Sequence, residues 1–268
     1  MSRAWSAAVC NDTFLRVSHP ALEPEDALDL WCIHGAGESG IPFFPLLGSE
    51  VARRHRIVVP DLPGFGASPP FADGAASFER MVAHMRQLIA AFSGERRIAF
   101  VGHSIGAMIA TELVGPLGEQ VQSLISIEGN LTPADAYLTG LAAAHAHPIA
   151  YQRLLFDRIG AEAAAGEPGA AGLVASLHFA DPASLWELAR TAAARSTTDQ
   201  AGAAFAAAAC RKHYYYGDRS LSAAARDFLS AQQFHVRIFP GQGHWLMVEA
   251  PDSFHQAILQ DLSESPAW

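Results

Sequence analysis

Residues 97–107, Arg-Ile-Ala-Phe-Val-Gly-His-Ser-Ile-Gly-Ala, constrain this chain more than any other stretch. Ile98, Phe100 and Val101 suit a strand covered on both faces. The residues from Ile105 onward suit a helix. Between them, Ser104 stands with Gly102 and Gly106 two positions to either side. A strand that turns this sharply into a helix strains its central residue, and side chains at the flanking positions would collide with neighbouring backbone. Glycine at both flanks removes those collisions. The turn then presents the Ser104 hydroxyl at the rim of a sheet, and the Ile105 amide at the helix start points toward any oxyanion formed there.

The surrounding chain alternates strand and helix. Residues 5–9 and 13–17 read as a hairpin around Asn11-Asp12. Residues 20–27, with two prolines, read as a loop, and 28–33 as a strand that runs into His34-Gly35-Ala36-Gly37. A helix over 43–54 and a strand over 56–60 follow. The strand ends in the turn-rich Asp61-Leu62-Pro63-Gly64-Phe65-Gly66-Ala67-Ser68. Ser77 caps a helix that runs to about Phe92 and stops at Gly94. The helix after Ser104 ends near Gly115-Pro116, and 121–127 is the next strand, with Glu128 at its end. This alternation argues for a parallel sheet covered on both faces, whose ligands bind beyond the carboxyl ends of the strands. His34, Asp61, Ser104 and Glu128 all fall on that edge.

From Leu131 to about Ala209 the strand rhythm disappears. Helical runs are expected near 134–146, 149–159, 172–177, 182–195 and 199–209, with a small-residue loop over 160–172. The sheet pattern resumes at 213–216, followed by a helix over 221–231, a strand over 235–239 and a final helix over about 251–262. His244 follows the last strand through Pro240-Gly241-Gln242-Gly243, which places it on the same edge as Ser104. Serine is a weak nucleophile without a base. His244 is the base candidate, because the other histidines lack that setting, most lying on expected helices or at strand starts. His145 and His147 could ligate a metal only with ligands supplied from elsewhere in the chain.

Composition excludes several classes of function. The chain has 268 residues, 50% hydrophobic and 17% charged, with a net charge of −9. Its largest basic cluster, Arg53-Arg54-His55-Arg56, does not suit nucleic-acid binding. Cys10, Cys32 and Cys210 lack metal or disulfide spacing. No leader or membrane-length apolar run is evident, so a cytoplasmic location is expected.

In order, His34-Gly35-Ala36-Gly37, 61–68, Gly102-His103-Ser104-Ile105-Gly106 and Gly243-His244 resemble the motifs of the α/β-hydrolase superfamily. The resemblance implies a mostly parallel eight-stranded sheet with helices on both faces. It implies a core domain from residues 1–130 and 211–268 and a helical lid over 131–210. It casts Ser104 as nucleophile, His244 as general base and acid, the amides of Ala36 and Ile105 as oxyanion hole, and His34 and Asp61 as structural supports. His103 is expected to pack beside the turn.

The acid of the triad departs from the usual pattern, because Ser220 holds its position three residues after Gly217. Glu128, after the sixth strand, is the favoured acid, with Asp218 as the alternative. Phe43, Phe44 and Trp245 are expected to line the substrate site.

The implied reaction is hydrolysis of a small or medium carboxylic ester through an acyl-enzyme, without metal or organic cofactor, by a monomer or homodimer. Hydrolysis of a C–C or thioester bond, perhydrolysis, cofactor-free oxygenation and non-catalytic binding of a small molecule are the alternatives.

Overall fold

Apolar runs that can be buried on both faces become the central strands of one eight-stranded sheet. The computed structural model describes residues 5–20, 25–74 and 76–263. The strands are β1 (Trp5–Cys10), β2 (Thr13–Ser18), β3 (Asp29–Ile33), β4 (Arg56–Pro60), β5 (Ile98–His103), β6 (Val121–Ile127), β7 (Arg211–Gly217) and β8 (His235–Phe239). Their spatial order is β1-β2-β4-β3-β5-β6-β7-β8. β2 pairs antiparallel with β1 and β4, and the remaining pairs are parallel. The expected hairpin is present. Asn11 and Asp12 take φ of 46° and 57°, the left-handed pair that a two-residue turn requires. Residues 21–24 of the expected 20–27 loop lie outside the described residues.

The helices are α1 (Glu50–Arg54), α2 (Phe78–Ser93), α3 (Ile105–Leu117), α4 (Pro148–Ala164), α5 (Ala170–Leu177), α6 (Pro182–Thr197), α7 (Gln200–Ala207), α8 (Ala223–Gln232), α9 (Leu246–Glu249) and α10 (Pro251–Ser263). α2 begins and ends as its caps dictate: the Ser77 hydroxyl accepts from the Arg80 amide, and Gly94 takes a φ of 57°. No described helix is long and apolar enough to cross a membrane.

Strand order reverses around β3. The chain goes from β3 out to β4, then crosses back so that β5 pairs on the other side of β3. Such a switch point opens a crevice at the carboxyl ends of the strands. The loop after β3 and the turn after β5, two of the glycine-containing motifs, flank it.

Three expected elements differ. The stretch 43–54 is not one helix. A 3-10 helix spans Ile41–Gly48 with Pro45 inside it, and α1 starts afresh after its Ser49 cap. The expected helix over 134–146 is two short 3-10 helices, Pro133–Asp135 and Thr139–Ala144. The expected 160–172 loop is mostly helical: α4 continues to Ala164, because alanine favours helix even beside Gly160.

Candidate active site

At the end of β5 the chain makes the expected sharp turn. Ser104 takes φ 52° and ψ −122°, strained for a side-chain-bearing residue. Its amide donates to the Ile127 carbonyl (2.9 Å), which ties the turn to β6. The flanking glycines are required by space. A Cβ on Gly102 would lie 2.4 Å from the Ala107 Cα, and one on Gly106 would lie 2.2 Å from the Ile33 carbonyl oxygen. Backbone from α3 and β3 therefore packs directly on the turn.

A second strained residue stands at the end of β6. Glu128 has a φ of 43° and is 5% exposed. Its amide continues the ladder to the Tyr215 carbonyl (3.0 Å), while its side chain turns across the sheet edge. Glu128 Oε2 accepts from His244 Nδ1 at 2.7 Å, and Oε1 accepts from the Gly217 amide (2.8 Å) and the Ser220 hydroxyl (2.5 Å). The serine at the usual acid position thus supports the glutamate. Asp218 is exposed, and its carboxylate accepts from the Gly241 amide at 2.8 Å, bracing the loop before His244 rather than His244 itself. The structure thus brings Glu128, and not Asp218, into contact with His244.

With Nδ1 donating to Glu128, His244 Nε2 is left as the acceptor nitrogen. Burial alone would lower the His244 pKa. The hydrogen bond and charge of Glu128, together with the charges of Glu38 and Glu249, outweigh it and hold the ring above its ordinary 6.5. The loop carrying His244 is fixed from two sides. A Cβ on Gly217 would lie 2.2 Å from the Gln242 carbonyl oxygen, so β7 and this loop touch backbone to backbone. The Glu249 carboxylate accepts from the Gly243 (2.5 Å) and Trp245 (3.0 Å) amides.

The loops after β3 and β4 hold each other. His34 Nε2 accepts from the Leu62 amide (2.9 Å), and Nδ1 donates to the Gly35 carbonyl (2.8 Å). Burial lowers the His34 pKa despite the nearby Asp61 charge, consistent with that neutral ring. Asp61 accepts from Arg16 (2.7 Å) and from the amides of Gly40 (2.6 Å) and Ala67 (2.8 Å). Both residues fasten loops. Among the described residues the amides of Ala36 and Ile105 have no hydrogen-bond partner, which leaves them available to a ligand.

Ser104, His244, Ala36 and Trp245 line one cavity of about 40 Å³. Phe43 and Phe44 do not. Phe43 is fully buried in the core, and Phe44 stacks edge-on against Trp5 at 5.0 Å. The 3-10 helix that carries them turns both rings away from the crevice. Tyr137, Leu155, Leu173 and Leu177 supply walls that the sequence reading missed. Those positions come from the helical segment between β6 and β7, whose packing is not encoded in any local motif. Glu38 was also missed, although it follows the recognised Gly35-Ala36-Gly37 directly.

The sequence profile of the alpha/beta hydrolase family matches residues 32–257. A pimeloyl-(acyl-carrier protein) methyl ester esterase of Aliivibrio salmonicida is 32% identical over 99 residues, 37% of this chain and 35% of that protein. A putative carbamate hydrolase RutD of Escherichia coli is 31% identical over 104 residues, 39% of this chain and 37% of that protein. The chain thus spans little more than a third of the curated relatives it matches. In solved structures, the N-acyl homoserine lactonase AidH complexed with N-butanoyl homoserine has a TM-score of 0.75 at 19% identity, covering 98% of this chain and 99% of that one. An E-2-(acetamidomethylene)succinate hydrolase has a TM-score of 0.72 at 19% identity, covering 97% and 99%. Likeness at these identities speaks for the fold alone. Together with the profile match over most of the chain and the observed sheet order, it establishes that this chain belongs to the alpha/beta hydrolase family.

Proposed function

We propose that this hydrolase cleaves a small or medium, uncharged carboxylic ester through a serine acyl-enzyme. The observation that carries the reading is the 2.7 Å contact between Glu128 and His244, which share a sheet edge with the strained Ser104. Glu128 orients His244 and stabilises its protonated form. His244 Nε2 takes the Ser104 proton as Oγ attacks the ester carbonyl. The oxyanion settles on the Ala36 and Ile105 amides. His244 then protonates the departing alcohol, and it activates water to release the acid.

The substrate class follows from the cavity walls. Leucines and tyrosines are frequent in the lining, the carboxylates of Glu38 and Asp135 join them, and among the described residues no arginine or lysine does. An anionic substrate would find neither an arginine nor a lysine there. The volume of about 40 Å³ holds roughly three waters, at about 10–15 Å³ each. Residues 131–210 accordingly act as a lid over the 1–130 and 211–268 core, moving to admit anything larger. The methyl ester and carbamate chemistry in the relatives' names supports acyl transfer to water.

The test is hydrolysis of p-nitrophenyl esters from acetate to octanoate, with fluorophosphonate labelling of wild type and Ser104→Ala. Turnover with a short-chain optimum and labelling lost in the variant are expected. A wild type that does not label overturns the reading in favour of a binding protein. Labelling without ester turnover points to another bond, C–C or thioester, cleaved by the same groups.

A further inference from the structure

Glu38 brings to the cavity a carboxylate that the proposed reaction does not use. It is 3% exposed. Its Oε2 accepts from the Gly35 amide (2.8 Å) and from His103 Nδ1 (3.0 Å), and its Oε1 accepts from the Trp245 indole (2.8 Å). His103 is 1% exposed, and its other nitrogen, Nε2, lies 3.0 Å from the backbone carbonyl oxygen of His244. Both partners of the His103 ring are acceptors. They are satisfied together only when both nitrogens carry a proton. The ring then holds a positive charge against the carboxylate.

Two consequences follow from where this pair sits. Through His103 it holds the His244 backbone carbonyl, while Glu128 holds the His244 ring. Through Gly35 and the Trp245 indole it ties together the loop after β3 and the loop after β8. It also bears on charge. Gly35 immediately precedes Ala36, whose amide is proposed to hold the oxyanion. A lone carboxylate bonded there would oppose a second negative charge in a site of low dielectric. The imidazolium cancels it.

We propose that Glu38 and His103 form a buried, net-neutral ion pair that positions His244 from its backbone side and keeps the oxyanion loop free of uncompensated negative charge. This rests on the serine-hydrolase reading, and both are positioning residues. The Glu38 carboxyl fits the role. Burial pushes it up, but the charge and hydrogen bond of His103, with the Gly35 amide, hold it at about 2. Besides this pair, the titratable groups facing His244 are Glu128, Glu249 and Tyr137, whose ring centre lies 6.3 Å from that of His244.

The experiment has two arms. Nitrogen-15 NMR of histidine-labelled wild type reads the ring directly, whether or not a substrate is known. His103, assigned by its loss in His103→Gln, shows two protonated nitrogens at the pH of the turnover assay. A neutral His103 overturns the pair. The second arm compares ester turnover by wild type, Glu38→Gln, His103→Gln and the double variant, with thermal unfolding as the control for folding. His103→Gln, which strands the Glu38 charge, lowers kcat by about tenfold or more with little change in KM. The double variant recovers most of that loss. Losses that multiply independently, or an unchanged kcat in folded His103→Gln, overturn the role. If His103→Gln does not fold while the double variant does and turns over, the stranded charge is again the cause. Absence of wild-type turnover and labelling overturns the hydrolase reading instead, while the NMR arm still judges the pair.

Discussion

Glu128 Oε2 accepts a hydrogen bond from His244 Nδ1 at 2.7 Å, although the two residues stand 116 positions apart. No comparable contact joins His244 to Asp218, whose carboxylate serves the Gly241 amide. Glu128→Gln is therefore expected to lower kcat by about 10³–10⁴, the scale set by loss of such an acid. Asp218→Asn is expected to stay within about threefold of wild type, as exposed substitutions usually do. Steady-state rates on one p-nitrophenyl ester decide the point, and equal losses in the two variants would contradict it.

The pH profile carries a signed expectation. A base must be neutral to accept the Ser104 proton, and Glu128 holds His244 above its ordinary 6.5. The acid limb of kcat/KM should accordingly lie above that value. Removing the Glu128 charge should move the limb down as well as lowering the rate. A limb at or below the ordinary value in wild type would contradict the assignment of His244.

Gly106→Ala tests the turn. Alanine usually strengthens a helix. Here its Cβ would lie 2.2 Å from the Ile33 carbonyl, which is backbone of a central strand and cannot swing aside. The substitution should destabilise by about 1–3 kcal/mol and cost activity. Thermal unfolding measures the first and ester turnover the second.

Leu177 is fully buried, lines the cavity and sits against Gly37. Leu177→Ala should cost about 2–5 kcal/mol of stability. It should also shift the acyl-chain optimum toward longer esters, because losing the isopropyl group enlarges the cavity that Leu177 lines with Ser104. An unchanged optimum across the acetate-to-octanoate series would place the acyl group elsewhere.

Acid should weaken the fold through two buried carboxylates. Burial raises both Asp61 and Glu38. Arg16 and backbone amides around Asp61, and His103 beside Glu38, more than reverse it, so both end below their ordinary 3.8 and 4.5. Their contribution is fully present above those unfolded values. It is lost as pH falls through the folded ones, about 2 for Glu38. Urea unfolding from pH 6 down to 3 should show falling stability, with a shallower slope in Asp61→Asn.

Much of this was legible in the sequence because it is local. A strand followed by Gly-x-Ser-x-Gly and a helix can satisfy its sterics in few ways, and apolar runs at this spacing pair in parallel. The order of the loop motifs then places Ser104 and His244 on one sheet edge. What tertiary structure alone decided depends on convergence across the sheet. The choice between Glu128 and Asp218 turns on a positive φ at Glu128 and on Ser220 reaching over from the end of β7. The orientation of Phe43 and Phe44 turns on a 3-10 helix broken from α1 at Ser49. The cavity walls come from alanine-rich helices whose periodicity announces a helix but not the face it buries. Glu38 shows the limit most plainly, since its hydrogen bonds reach Gly35 in its own loop, His103 at the end of β5 and Trp245 beyond β8. Local sequence specifies backbone shape, whereas the partners of a buried charge exist only once the chain has closed around it.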